Sequence, residues 1–167
     1  MLLPSGCDAA YTLAQAYGPG LMAFVAKMNA TAAGLGLTRT HFANFDGLPW
    51  PTEHSTYSTP QDLITLGRAA MRSALFRAIV DQRGFHLAAG GRHHAYFWPN
   101  TNFLLGRYPG AIGIKTGSTL AAGYCLLFEA QRGTRRLIGV VLHSSHSNVM
   151  ATFSDARKLL NWGFQRR

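Results

Sequence analysis

AIGIKTGSTLAAGYCLLFEAQRGTRRLIGVVLH, residues 111–143, holds three apolar runs separated by glycine-containing turns. Ile112–Thr116, Gly123–Ala130 and Leu137–His143 are short, rich in Ile, Leu, Val and Phe, and read as β-strands. Arg132-Gly133-Thr134 is short enough to fold the second run back on the third as an antiparallel hairpin.

The flanks of this stretch are helical. Toward the N-terminus, residues 8–17 read as a short helix ended at Gly18-Pro19-Gly20. Leu21, Phe24, Val25, Met28, Ala32 and Leu35 then recur at three- and four-residue spacing, which predicts a second helix with one apolar stripe and Gly34 and Gly36 at its C-terminal end. From Thr38 to Thr59 the periodicity is lost, and Asp46-Gly47 and Pro49-Trp50-Pro51 mark turns. Thr59-Pro60-Gln61-Asp62 carries the signals of a helix start, with Thr59 as N-cap, Pro60 at the first turn and Asp62 reaching back toward the cap. Leu63, Leu66, Ala70, Leu75, Phe76 and Ile79 continue an apolar face through a break near Ser73. Residues 84–109 read as irregular, with one strand around Phe85–Leu87. Val149 to about Trp162 closes the chain as an amphipathic helix, with Phe153, Ala156, Leu159 and Leu160 on one face. Helices followed by an antiparallel hairpin and a terminal helix predict an α+β fold with the sheet covered by helices.

At 167 residues, 47% hydrophobic and 14% charged, the chain fits one globular domain with a genuine core. The formal charge of +9 is compatible with attraction to a polyanion, a nucleic acid or an anionic envelope polymer. The cations are scattered and no helix carries a basic stripe, so a nucleic-acid partner is not expected. Two cysteines, Cys7 and Cys125, exclude a disulfide scaffold and a four-cysteine zinc site, although one bridge between them is conceivable. No apolar run reaches membrane-spanning length, and Met1-Leu2-Leu3-Pro4 lacks the basic start and apolar stretch of a signal peptide.

The tripeptide Lys115-Thr116-Gly117, followed by Ser118-Thr119, stands at the end of an apolar strand. A lysine there supplies a fixed cation, the threonine hydroxyl can donate to a carboxylate, and the glycine leaves room for a second backbone. Together they suit an extended peptide with a free C-terminal carboxylate paired along the strand edge. By itself the tripeptide reads more readily as a polar strand end with a turn glycine. His93-His94 and His143-x-x-His146 lack a third ligand at telling spacing, so no metal is expected. Cys7 could be a nucleophile activated by a histidine, or a small residue at a helix start. Trp50, Trp98 and Trp162 could stack on sugar or simply pack.

An ordered series of segments adds to this. Ser5-Gly6-Cys7 stands where the Ser-x-Asn motif of penicillin-binding carboxypeptidases would stand, ahead of Lys115-Thr116-Gly117. Between and around them lie Phe24-Val25 with Met28-Asn29, Thr40-His41-Phe42-Ala43-Asn44, Asp46-Gly47-Leu48, Tyr57-Ser58-Thr59 with Asp62-Leu63, Asn100-Thr101-Asn102, and Ala122-Gly123-Tyr124-Cys125. In these the chain resembles, from Leu2 to about Phe164, the serine D-alanyl-D-alanine carboxypeptidases of peptidase family S11, within the penicillin-binding protein and β-lactamase-like superfamily.

The resemblance implies a partial transpeptidase-like domain and hydrolysis of the terminal D-Ala-D-Ala bond of peptidoglycan stem peptides through a serine acyl-enzyme. It further implies β-lactams as inhibitors, a location in the bacterial cell envelope, and no metal or organic cofactor. Ser5 would relay a proton to the leaving amine, and Lys115 would hold the electrostatics around it. Thr116 would bind the substrate carboxylate beside Gly117, and the Ser118 N–H would form half of an oxyanion hole. Two departures stand out. No serine is followed three residues later by lysine, so the Ser-x-x-Lys nucleophile is expected upstream of Leu2 and residues 1–167 are expected to be inactive alone. Cys7 occupies the position of the family's asparagine, and a thiol lacks the amide's paired donor and acceptor. The alternative is a non-catalytic remnant that binds peptidoglycan peptides. Without the helix that bears the nucleophile, apolar positions at Leu13, Ala16, Phe24, Met28 and on strands 123–130 and 137–143 are expected to be uncovered.

Overall fold

The structure, a computed structural model, describes residues 1–18 and 20–166. Five helices and five strands follow in the order α1 (Cys7–Tyr17), α2 (Leu21–Gly34), α3 (Pro60–Ala70), α4 (Ala74–Val80), β1 (Gly84–Leu87), β2 (Tyr96–Pro99), β3 (Ala111–Thr119), β4 (Gly123–Arg132), β5 (Arg135–Val141) and α5 (Val149–Gln165). The α+β assignment holds. The turn expected at Gly18-Pro19-Gly20 includes Pro19, which lies outside the described residues; Gly18 itself donates to the Ala14 carbonyl at 3.0 Å.

Local chemistry sets the helix ends. Helix α2 ends in a Schellman motif, in which Leu37 donates to the Ala32 carbonyl and Gly36, at φ +73°, donates to Ala33. The Thr59 side chain accepts from the Asp62 N–H, with Pro60 in the first turn, and Ser73 caps α4 by accepting from the Phe76 N–H. Asp62 departs from its expected role. Its carboxylate is buried and accepts from the Arg39 N–H at 2.9 Å and the Thr40 hydroxyl at 2.8 Å, fastening the 38–40 segment to α3 rather than closing the cap.

The sheet runs β3-β4-β5, antiparallel throughout, and the β4–β5 hairpin turns at Arg132–Arg135. A second sheet pairs β1 with β2 in the segment expected to be mostly irregular. The strand Tyr96–Pro99 escapes notice because it is four residues long and ends in proline. Its rings stack, Tyr96 on Trp98 at 5.3 Å and Trp98 on Phe85 at 6.2 Å.

Alternation along β4 divides the core in two. Leu126, Phe128 and Ala130 pack with Val141, Leu104 and Tyr108 against Phe153, Ala156 and Leu160 of α5. Leu127 and Ile138 join Met71, Val80, Ile114 and Phe76 beneath α3 and α4. Each fully buried large side chain contributes roughly 1.5–3 kcal/mol. The expectation of uncovered faces therefore holds only in part. Leu13 and Ala16 are exposed, but Phe24 and Met28 are half-buried, and helices on both sides cover the main-sheet strands. Leu75 and Leu159, placed on apolar faces from periodicity, are exposed as well. Among the described residues no helix is long and apolar enough to cross a membrane.

Candidate active site

The main sheet ends at β3, whose outer edge pairs with no other strand among the described residues. Lys115, Thr116, Gly117 and Ser118 lie along it. Residues 1–6 pass the same point because the Leu3 carbonyl accepts from both the N–H (3.1 Å) and the hydroxyl (3.2 Å) of Thr101. The Thr101 segment is fixed in turn by buried amides. Asn100 donates to the carbonyls of Val80 and Gln82, and its own oxygen accepts from the Asn102 N–H.

This delivers Ser5 to Lys115. The lysine Nζ donates to Ser5 Oγ at 2.8 Å and to the Thr116 carbonyl at 2.7 Å, although 110 residues separate the two side chains. Ser5 sits at φ +61°, a left-handed conformation that costs a non-glycine residue about 1–3 kcal/mol. Lys115 is half-buried, and desolvation lowers its pKa below the ordinary lysine value, while the nearby Cys7 thiol raises it. Thr116 Oγ1 lies 2.6 Å from Thr101 Oγ1. Ser118 and Gly117 are exposed, and a Cβ on Gly117 would meet no atom within 4 Å, so the strand edge is open to a second backbone.

These groups line one cleft of about 580 Å³. Its remaining walls are the Asp46-Gly47-Leu48 turn and the start of α5, with Thr152 and Phe153. All six residues singled out from sequence (Ser5, Cys7, Lys115, Thr116, Gly117 and Ser118) therefore meet at one place. Cys7 opens α1 and its sulfur lies 4.0 Å from the Ser5 carbonyl and 3.9 Å from that of Asp46. Neither of these partners is a histidine, and Cys7 and Cys125 are both free thiols. Among the described residues no three His, Cys, Asp or Glu side chains gather as metal ligands; the His143 and His146 rings meet edge-on at 4.4 Å.

Sequence reasoning passed over Thr101, Tyr124, Cys125 and Thr152 as site residues. Thr101 belongs to a segment noted only for its family likeness, and nothing local announces that its hydroxyl reaches Thr116. Thr152 reads as one more residue of an amphipathic helix; it is buried, and its hydroxyl has no partner in the protein.

Residues 1–146 match the family described as D-alanyl-D-alanine carboxypeptidase, peptidase S11. The chain is 44% identical over 174 residues to the D-alanyl-D-alanine carboxypeptidase of Streptomyces sp. strain K15, covering 98% of this chain and 58% of that protein. It is 41% identical to a D-alanyl-D-alanine carboxypeptidase of Mycobacterium tuberculosis, covering 98% of this chain and 55% of the relative. The crystal structure of the Streptomyces K15 DD-transpeptidase superposes with a TM-score of 0.88 at 42% identity, over 98% of this chain and 64% of that one. The chain thus spans a little over half the length of these two curated relatives. Solved variants of the Streptomyces enzyme replace a serine and, two positions later, a cysteine, which is the spacing of Ser5 and Cys7. By its sequence match, its fold and its ordered motifs, the chain belongs to the D-alanyl-D-alanine carboxypeptidase family, peptidase S11.

Proposed function

We propose that residues 1–167 form the substrate-binding and proton-relay half of a serine D-Ala-D-Ala carboxypeptidase acting on peptidoglycan stem peptides in the bacterial cell envelope. The observation that carries this reading is the 2.8 Å hydrogen bond from Lys115 to Ser5, at the head of an open strand edge. An extended peptide lying antiparallel to β3 would find backbone groups at Gly117 and Ser118 and a hydroxyl at Thr116 for its terminal carboxylate. The Ser118 N–H would supply one oxyanion donor.

The Thr101–Thr116 pair makes the carboxylate contact inexpensive. In the free site Thr101 donates to the Leu3 carbonyl, so Thr116 donates to Thr101. When Thr116 turns its proton to a carboxylate, Thr101 can turn its own to Thr116. The Leu3 carbonyl still holds the Thr101 N–H, so no buried acceptor is stranded.

Ser5 would pass a proton to the leaving amine, with Lys115 holding its hydroxyl in place. Lowering the lysine pKa brings that group nearer to proton exchange at neutral pH. The acyl-accepting serine of a Ser-x-x-Lys motif is not among these 167 residues. The chain alone is therefore expected to bind D-Ala-D-Ala peptides and not to cleave them, which also accommodates the reading of a non-catalytic peptide-binding protein. β-Lactams would occupy the same cleft.

The test is calorimetric titration with an N-acylated D-Ala-D-Ala tripeptide and its L-Ala-L-Ala counterpart. Saturable binding of the D,D form alone, lost in Thr116→Val, supports the assignment. Equal binding of both peptides, or a covalent fluorescent-penicillin adduct on Cys7, overturns it.

A further inference from the structure

On the α3 and α4 side of the sheet lies a second cleft of about 450 Å³, lined by Arg68, Arg72, Arg77 and Arg136 together with Glu129. Four guanidiniums against one carboxylate leave a formal surplus of three positive charges. Among the described residues the chain forms two salt bridges, Lys158–Asp155 and Arg136–Glu129. Arg68, Arg72 and Arg77 thus have no carboxylate within 4.0 Å among those residues. Arg77 donates to the carbonyls of Met71 and Arg72, which fixes it at the α3–α4 junction without cancelling its charge.

Glu129 is the second feature. It is 4% exposed, and its Oε1 has no hydrogen-bond partner. Arg136 Nε comes within 3.4 Å of that oxygen, but its hydrogen is committed to Gln131 Oε1 at 2.9 Å. The buried acceptor therefore feels charge attraction and receives no hydrogen bond. Burial also raises the Glu129 pKa, against the pull of Arg136 and Arg77. A site of this kind asks for an anion that brings one donor of its own.

We propose that this cleft binds a phosphate group that keeps one proton, either inorganic phosphate or the monoester end of a larger molecule. Guanidinium forks match the phosphate oxygens, and the remaining P–OH donates to Glu129 Oε1. Sulfate, which carries no proton near neutral pH, can meet the arginines but sets an oxygen against the Glu129 carboxylate. The inference is independent of the carboxypeptidase reading, since none of these residues lines the first cleft.

The experiment is isothermal titration of the full chain with inorganic phosphate, glycerol phosphate and sulfate at one ionic strength and pH 6, where a phosphate monoester, with a second pKa of about 6, still keeps its proton in about half of the molecules. Phosphate is expected to bind at least about tenfold more tightly than sulfate, the fold-change that corresponds to leaving a buried acceptor unpaired. Tighter binding of inorganic phosphate identifies the free anion as ligand, and tighter binding of glycerol phosphate identifies an ester end group. Arg72→Ala removes an exposed side chain and should keep the fold, checked by circular dichroism, while weakening phosphate about tenfold. Glu129→Gln keeps an acceptor oxygen but removes the carboxylate that discriminates against an unprotonated anion, so sulfate affinity should rise toward that of phosphate. Equal affinities for phosphate and sulfate, no detectable binding of either, or unchanged phosphate binding in Arg72→Ala would each overturn the proposal.

Discussion

Replacing Thr101 by valine tests whether the site is held together as described. Valine keeps the branched shape and removes only the hydroxyl. That hydroxyl makes two hydrogen bonds, 2.6 Å to Thr116 Oγ1 and 3.2 Å to the Leu3 carbonyl. At about 0.5–1.5 kcal/mol for each bond, Thr101→Val should cost about 1–3 kcal/mol of stability. The Leu3 carbonyl retains the Thr101 N–H, so the result should lie in the lower half of that range. Thr116→Val removes one of the same two bonds. The double variant should consequently be less destabilised than the sum of the singles, with a coupling of about 0.5–1.5 kcal/mol. Urea unfolding followed by tryptophan fluorescence measures all three. Thr101→Val leaves the Thr116 proton with no partner inside the site to give up, so D-Ala-D-Ala peptide binding should survive this substitution while it is lost in Thr116→Val. Additive single effects on stability, or loss of peptide binding in Thr101→Val equal to that in Thr116→Val, would refute this account of the two threonines.

Three further outcomes follow from other contacts. Gly139→Ala places a Cβ 2.5 Å from the Phe128 ring, which is 1% exposed and walled in by α5, so overpacking of about 1–3 kcal/mol should appear as a lowered Tm in calorimetry. Leu126→Ala, in the same cluster, should cost about 2–5 kcal/mol in urea unfolding. Burial holds the Glu129 pKa above its ordinary 4.5, so between pH 4.5 and the raised value the native state binds the extra proton; stability from this group is full below pH 4.5 and is lost as pH rises through that window. Glu129→Gln should flatten that component of the pH–stability curve, and a curve identical to wild type would count against the raised pKa.

Much of this was legible beforehand, for identifiable reasons. The three main-sheet strands and helix α2 announced themselves because apolar runs and glycine stops are local signals. Lys115 and Ser5 could be paired in advance only through the order of motifs, since nothing in either segment encodes a contact across 110 residues. The strand Tyr96–Pro99 escapes a reading by pattern because it is four residues long, ends in proline and is aromatic on both faces, which leaves no polar–apolar alternation. Asp62 was assigned to its own helix cap, whereas tertiary contact drew its carboxylate to Arg39 and Thr40. Leu75 and Leu159 obey helical spacing yet face solvent, because periodicity reports a possible apolar face and packing alone settles where it ends.

Helix α5 packs into the core through Phe153, Ala156 and Leu160, but its side-chain polar ties to the sheet gather at one end. At its C-terminal end Arg135 donates to the carbonyls of Gly163 and Phe164, and Arg132 lies 4.4 Å over the Phe164 ring while bonding the Tyr108 hydroxyl. At its other end the helix has an Asn148 cap and then forms the wall of the first cleft with Thr152 and Phe153. Two guanidiniums thus make the last turn part of the β4–β5 hairpin, so its amides should exchange with solvent only when that hairpin opens. The seventeen residues of α5 span about 25 Å, and a tilt of a few degrees about the anchored end would move the cleft wall by about 1 Å. Such a tilt would set the width of the first cleft from the far end of α5. A deuterium-uptake gradient along α5, slow at residue 164 and faster at residue 150, would be its signature.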